Sequence, residues 1–397
     1  MSELPSSSGP APTARRIRRP GRVGRILAAA AVALVVVVAS FGVYEYYSSG
    51  AASGGTTLVV YTYSALFSGN CGGGAPDLSM LLGEFEQAHG VHIDLVCPTG
   101  NIVSALESPS DYGLPAADLV VGLDEITAPE AESLGLLVPY SPPELASVPP
   151  WLVTELDPEL GVVPYEYGLL AVDFTPWFFN QTDGAVAHAT LPEFVDNASW
   201  STQLLTENPI YDITGEEFLV WQIEYYESVL HESWTGFWQH FFAEPHPNPA
   251  TDWSTAFGEF GTPSGQNQLV VSYSTDPAYA AANPGSTPLN STVSWWNGTA
   301  YGWRTIYGVG VVHGSRHAAL AEALEQFILG GQFQSYIPEN EWEYPANATV
   351  PLPSVFSAAI DPSEVVALNN ATTPASVAAN LTASGGWLDT WESLAGG

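Results

Sequence analysis

The placement of positive charge constrains this chain more than any other feature. Arg15, Arg16, Arg18, Arg19, Arg22 and Arg25 precede residue 26; beyond them only Arg304 and Arg316 are cationic, and lysine is absent. An apolar run over 26–44 separates the two parts. Arginines flanking an apolar helix stay on the cytoplasmic side. At ~1.5 Å per residue, about 19 apolar residues just cross a hydrocarbon core of ~30 Å. The expected organisation is a basic cytoplasmic segment over 1–25 and a transmembrane anchor or signal over 26–45. A flexible linker over 46–56, containing SSGAASGG, then leads to an extracytoplasmic body. A cleaved signal peptide is the rival, although the run is long for a signal h-region. The ARRIRRP stretch is a twin-arginine candidate, which would imply export of a folded domain.

The net charge of -34 arises although only 13% of residues are charged, because cations are omitted rather than acids multiplied. Nothing in the body could neutralise phosphates, so nucleic acid is excluded as a partner and a polyanionic ligand is disfavoured. A cationic ligand is favoured. Self-repulsion at neutral pH would be considerable; an acidic exterior that protonates carboxylates would remove it, and a salt-rich one would screen it. Seven N-x-S/T sequons (Asn180, Asn197, Asn290, Asn297, Asn347, Asn370, Asn380) all follow the apolar run, which fits a glycosylated outer-surface domain. Cys71 and Cys97 are compatible with one disulfide in an oxidising space, two buried thiols being the alternative.

The body is long enough for two lobes with substantial cores. Apolar runs bounded by turn residues predict strands over 56–63, 91–98, 117–124, 162–174, 268–275 and 303–313. Three- and four-residue apolar spacing predicts helices over 78–90, 216–230, 233–243 and 317–337, with a short helix and turn over 104–116. Strands alternating with helices imply a parallel sheet, whose ligands sit beyond the carboxyl ends of strands. Those ends are Tyr63 with Ser64, the loop reaching Asn101, and Asp124. The expected division is a first lobe from 57–160 with about 280–397 and a second lobe from 161–279.

Nucleophile and metal patterns are poor. GTPSG (261–265) lacks the spacing of a nucleophile elbow. GVGVVHG (308–314) is too β-branched to cradle phosphate and reads as a core strand. His231, His240 and His246 fit no metal-ligand spacing, and neither a metal nor a cofactor is expected. Aromatics carry more information. Tyr63, Trp253, Tyr273, Tyr279, Trp342 and Tyr344 stand near predicted strand ends or in loops, with Asp124 and Asp276 nearby. Core packing is the commoner role for any one of them. As a set they would form an aromatic and acidic cage for a flat organic cation.

LVVYTYSALF, PAADLVVGLD, VPYEYGLLAVDF and LVVSYSTDPAYA occur in this order, followed by FILGGQFQSYIPENEWEYPANATVPLP (327–353). In these stretches the chain resembles the thiamine-binding substrate receptors of ABC importers over most of 57–356. The resemblance implies a two-lobed type II periplasmic-binding-protein-like α/β fold with an interlobe cleft, no catalysis, and delivery of a thiamine-like cation to an ABC permease by a monomeric ectodomain. It also implies that Tyr63 contacts the pyrimidine end, that Trp253, Tyr273 and Tyr279 enclose the rings, and that Trp342 closes the cleft. Tyr165 of VPYEYGLLAVDF joins this set. The chain departs from the family in two places. The family's aspartate after the second strand is replaced by TGN, leaving Asn101. Its hydroxyl-rich D-P-R-T-S-T-P-G reads E-N-P-I-Y-D-I-T-G (207–215), losing arginine and gaining Asp212. Unphosphorylated thiamine is therefore expected to bind better than its pyrophosphate. The alternatives are a ferric-ion receptor of the same fold using Tyr273 and Tyr279, a ligand-free glycosylated surface protein, and a secreted acid hydrolase.

Overall fold

The structure is a computed structural model that describes residues 55–63, 76–98, 101–181, 184–243, 248–262 and 265–396. The expected basic segment, the anchor, Ser64, Cys71 and His246 lie outside these residues. Among the described residues no helix is long and apolar enough to cross a membrane. Cys97 is disulfide-bonded.

The chain opens with β1 (Thr56–Tyr61), α1 (Pro76–His89), β2 (Val91–Val96), α2 (Ile102–Glu107) and β3 (Leu119–Leu123). The three strands are parallel, with β1 between the other two. After α3 (Pro150–Leu156) comes β4 (Val163–Phe174), twelve residues in which Val163, Tyr165, Tyr167, Val172 and Phe174 supply the strand-favouring side chains. Then follow β5 (Leu204–Leu205), α4 (Ile213–Glu224), α5 (Thr235–Ala243), α6 (Trp253–Glu259), β6 (Leu269–Tyr273), α7 (Asp276–Ala282), β7 (Arg304–Val312), α8 (Ala318–Leu329) and α9 (Gly331–Asn340).

The largest sheet has ten strands, with the central order β2-β1-β3-β7-β4-β6-β5. It is mixed rather than parallel. β7 runs antiparallel to both β3 and β4, and β6 runs antiparallel to β4. The helix expected over 317–337 is two helices. They meet at Gly330, whose extended backbone (φ -67°, ψ 147°) is the C-cap of α8 and the N-cap of α9.

Strand β4 joins two hydrophobic cores. Its first half pairs with β7 at Tyr167↔Ile306, and its second half pairs with β6 at Leu170↔Tyr273. The first core gathers β1–β3, most of β7, α8 and α9 around Leu58, Val120, Val163, Val309 and Phe333. The second gathers α4 and α5 on β6 around Trp221, Trp238, Leu219 and Val271. Val293, Trp303, Val365, Leu368, Val377, Leu381 and Trp391 also belong to the second core. The expectation had attached everything after about residue 280 to the first lobe. The tail packs on the second because Trp391 fits against Trp238 and Phe242 of α5.

Among the sequons, Asn180, Asn197, Asn290, Asn297, Asn370 and Asn380 are exposed. Asn347 is not: it is 5% exposed, its amide donates to the Leu329 carbonyl and its oxygen accepts from Thr349. A glycan cannot be carried there without unpacking that turn, which corrects the sequence expectation for this position.

Candidate functional site

The two cores meet where the loop after β3 faces the first turns of α4. Each side inserts an isoleucine into the other: Ile126 belongs to the second core, and Ile213 packs against the first. Hydrophobic burial thus holds the seam together, and polar groups converge beside it.

Asp124 directly follows β3 and is fully buried. Its Oδ1 accepts from the backbone N–H groups of Ile126 (2.9 Å) and Thr127 (2.7 Å) and from the Thr127 hydroxyl (2.7 Å). Its Oδ2 has no hydrogen-bond partner among the described residues. Burial raises its pKa against these donors. Glu125, next in the chain, accepts from Trp303 Nε1 (2.5 Å) and from the Ile306 N–H (3.1 Å). Burial and the charge of Asp124 push it well above the ordinary carboxylate range.

Across the seam, Asp212 caps α4. Its Oδ1 accepts from the Thr214 and Gly215 N–H groups and its Oδ2 from the Trp253 N–H. Glu216 and Glu217 follow in the first turns of the helix. Burial and the charges of Asp124, Glu130 and Asp212 bring Glu216 to about 8. Glu217 is fully buried with both carboxylate oxygens unpartnered among the described residues. Burial, then Glu125, Asp124, Glu343 and Glu216, raise its pKa well above the usual range. The Thr214 hydroxyl lies 3.0 Å from the Tyr273 phenol, which lies 3.1 Å from the Tyr307 phenol on β7. Tyr63 feels the charges of Asp124, Glu216 and Glu217, and its phenol is pushed up first by burial.

A second aromatic group adjoins the first. The rings of Tyr279 and Trp342 meet edge-on at 5.3 Å. Trp342 is held in a left-handed conformation (φ +60°), an uncommon backbone for a bulky residue. Glu343, buried with one unpartnered oxygen, feels both Glu166 and Asp276. Trp253 donates its Nε1 to Ser272 (2.9 Å), and Ser272 donates to Asp276 (2.5 Å). Burial and the neighbouring Asp276 carboxylate raise the pKa of Asp173 well above the ordinary carboxylate range.

Five of the aromatics singled out in the sequence (Tyr63, Trp253, Tyr273, Tyr279 and Trp342) are half-buried around this seam, and Asp124 and Asp212 lie among them. Other candidates have different work. Tyr165 is fully buried in the first core and donates to Glu166 (2.7 Å). Asn101 caps α2 through Val103 and Ser104. Tyr344 donates to the Ile360 carbonyl and stacks on Tyr167. Tyr307, Thr214, Glu217 and Glu343 escaped the sequence reading. Glu217 had a signal, as a carboxylate within EEFLVWQI, where the apolar residues run almost uninterrupted.

Carboxyl and hydroxyl groups converge here, a chemistry that suits a positively charged ligand. Among the described residues Arg304 alone is ion-paired without a histidine, and its partner is Glu155. Nor do the described residues include a His/Cys/Asp/Glu group fit for a metal.

The fold is that of the periplasmic binding proteins. A solved periplasmic thiamin binding protein superposes with a TM-score of 0.65 at 23% identity, over 85% of this chain and 96% of that one. A Bordetella ferric binding protein gives 0.59 at 15% identity, over 85% and 98%. In sequence, the chain is similar to the thiamine-binding periplasmic protein of Brucella suis, at 24% identity over 318 residues, 80% of this chain and 87% of the relative. It is also similar to that of Escherichia coli K12, at 25% over 281 residues, 70% and 76%. No family model matches the chain.

Proposed function

We propose that this chain is the extracytoplasmic receptor of an ABC importer, that it binds thiamine or a closely related heteroaromatic cation between its two cores, and that it presents this ligand to a membrane permease. One observation carries the reading. Fully buried carboxylates from both sides of the seam, Asp124 and Glu217, keep unpartnered oxygens beside half-buried aromatic rings. Rings attract a flat cation through their faces, and a carboxylate supplies its counter-charge. The thiamine-binding names of the sequence relatives support the same ligand. The receptor catalyses no reaction; closure of the two lobes on the ligand is the signal the permease reads.

An N-terminal anchor would tether the receptor to the membrane, and the exposed sequons would carry its glycans. Iron is the less favoured cargo, because burial raises the Tyr273 phenol well above its ordinary value and iron ligation needs phenolate. The test is calorimetric titration of the purified protein with thiamine at pH 4 and pH 7. Saturable one-to-one binding at either pH is expected; heat-silent mixing at both would remove thiamine as the ligand.

A further inference from the structure

The seam holds more carboxylates than one monovalent cation needs, and they are unevenly placed. Helix α4 has twelve residues, and the N-terminus of such a helix ordinarily attracts anions through its free N–H groups. Here that end is closed to them. The side chain of Asp212 already occupies the Thr214 and Gly215 N–H groups. Glu207 lies fully buried nearby with both oxygens unpartnered among the described residues, and burial with the charges of Asp212 and Asp252 raises its pKa. Glu216 and Glu217 follow on the helix itself. Four acids, Glu207, Asp212, Glu216 and Glu217, surround this helix end, and Glu217 keeps both oxygens without a partner among the described residues.

Resting on the receptor reading, we propose that Glu217 is the specificity-determining residue of the site. It acts as the second-lobe counter-ion for a quaternary heteroaromatic cation and makes the site reject that cation's phosphate esters. Asp124 and Glu125 face it from the loop after β3, Glu343 faces it from the segment after α9, and Glu216 lies beside it on α4. The phenols of Tyr63, Tyr273 and Tyr307 complete its surroundings. No cation among these groups satisfies Glu217, so in the empty protein it holds a proton. A bound thiazolium would take that proton's place, with its fixed positive charge between Glu217 on one lobe and Asp124 on the other. A phosphate on the ligand's hydroxyethyl arm would meet no cation among the described residues at the start of α4, where Asp212 already occupies the Thr214 and Gly215 N–H groups. The cost of desolvating that unpaired phosphate would offset the gain at the ring.

The experiment compares the full chain and its Glu217→Gln variant by calorimetry at pH 7, using thiamine and thiamine monophosphate in buffers of different ionisation enthalpy. The wild type is expected to prefer thiamine by about tenfold or more and to release about one proton on binding. Glu217→Gln is expected to lose about tenfold in thiamine affinity, to narrow the preference, and to release no proton. Its unliganded melting temperature should rise, since a buried unpaired carboxyl has been removed, so weak binding cannot be blamed on misfolding. Glu325→Gln removes another buried carboxyl with an unpartnered oxygen, on α8, and should leave the preference as in the wild type. A Glu217→Gln protein with wild-type affinity, preference and proton release would overturn the proposal. So would an equal change in Glu325→Gln. A wild type that binds both ligands equally would also overturn it, while leaving the receptor reading intact; a wild type that binds neither ligand removes both.

Discussion

Glu325 shows how one residue can set the pH response of this protein. It sits on α8, 1% exposed, in a helix face otherwise made of Ala321, Leu324 and Ile328. Burial and the charge of Glu322 raise its pKa from 4.5 to about 9. The folded protein therefore keeps a proton that the unfolded chain gives up. The sign follows from linkage: the contribution is fully favourable below about pH 4.5 and is lost progressively as pH rises toward 9. Glu216, at about 8, acts in the same direction. Glu325→Gln is expected to raise stability at pH 8 by ~1–3 kcal/mol, the scale of one buried unsatisfied group, and to change little at pH 4. Urea unfolding at the two pH values measures this. Asp252 works oppositely, since hydrogen bonds from Thr255 lower its pKa. Its contribution is lost as pH falls below about 3.8, so stability should peak on the acidic side but not at the lowest pH.

Strand β7 carries the glycines that the sequence offered as a faint phosphate loop. Their role is steric. A Cβ on Gly308 would lie 2.2 Å from Val162 Cγ1 and 2.6 Å from Leu156 Cδ2, and one on Gly310 would lie 2.5 Å from the Gly161 carbonyl oxygen. A side-chain tip can yield, whereas a backbone carbonyl moves only with its chain. Gly310→Ala is expected to destabilise by ~1–3 kcal/mol through overpacking, read as a lower urea midpoint with an unchanged slope. The β-branched pattern was enough to identify this segment as a core strand. Its antiparallel direction was not legible, because direction depends on which strand it meets, and that strand lies more than a hundred residues earlier in the chain. For the same reason the helix expected over 317–337 appeared continuous. Its apolar spacing persists through Gly330, and only packing shows where the axis changes.

Across the molecule, one ion pair links parts that sequence places far apart. Arg304 Nη1 reaches both oxygens of Glu155 on α3 at 2.7 and 2.8 Å, and its guanidinium lies 4.4 Å from the Trp151 ring centre. Asn369 brackets the Arg304 backbone, and Asn370 donates to Glu155. First-core helix, central strand and second-core tail are thereby joined. Arg304→Gln is expected to cost ~3–5 kcal/mol, because it strands a buried carboxylate, and chemical denaturation will measure it. For the whole protein, thermal melts should give a higher midpoint at pH 4 than at pH 7. Added salt should recover part of the difference, since a net charge of -34 repels itself across the surface. A midpoint higher at pH 7 would mean that the raised carboxylates of the seam do not govern stability.

The sequence by itself determined the periodicities that make the strands and helices, because side-chain polarity at spacings of two and of three to four is a local property. It also determined the acidic, cation-poor character of the body, and it pointed to Tyr63, Asp124, Trp253 and Tyr273 near predicted strand ends or in loops, and to Asp212 through its departure from the resembled receptors' pattern. Only the tertiary structure decided which of them share a site. It sent Tyr165 into the first core and Asn101 to a helix cap, packed the tail onto the second core, and turned Glu217 toward Asp124. Those outcomes depend on contacts between residues tens to hundreds of positions apart, and burial, which sets the protonation of every acid in the seam, exists only once those contacts have formed.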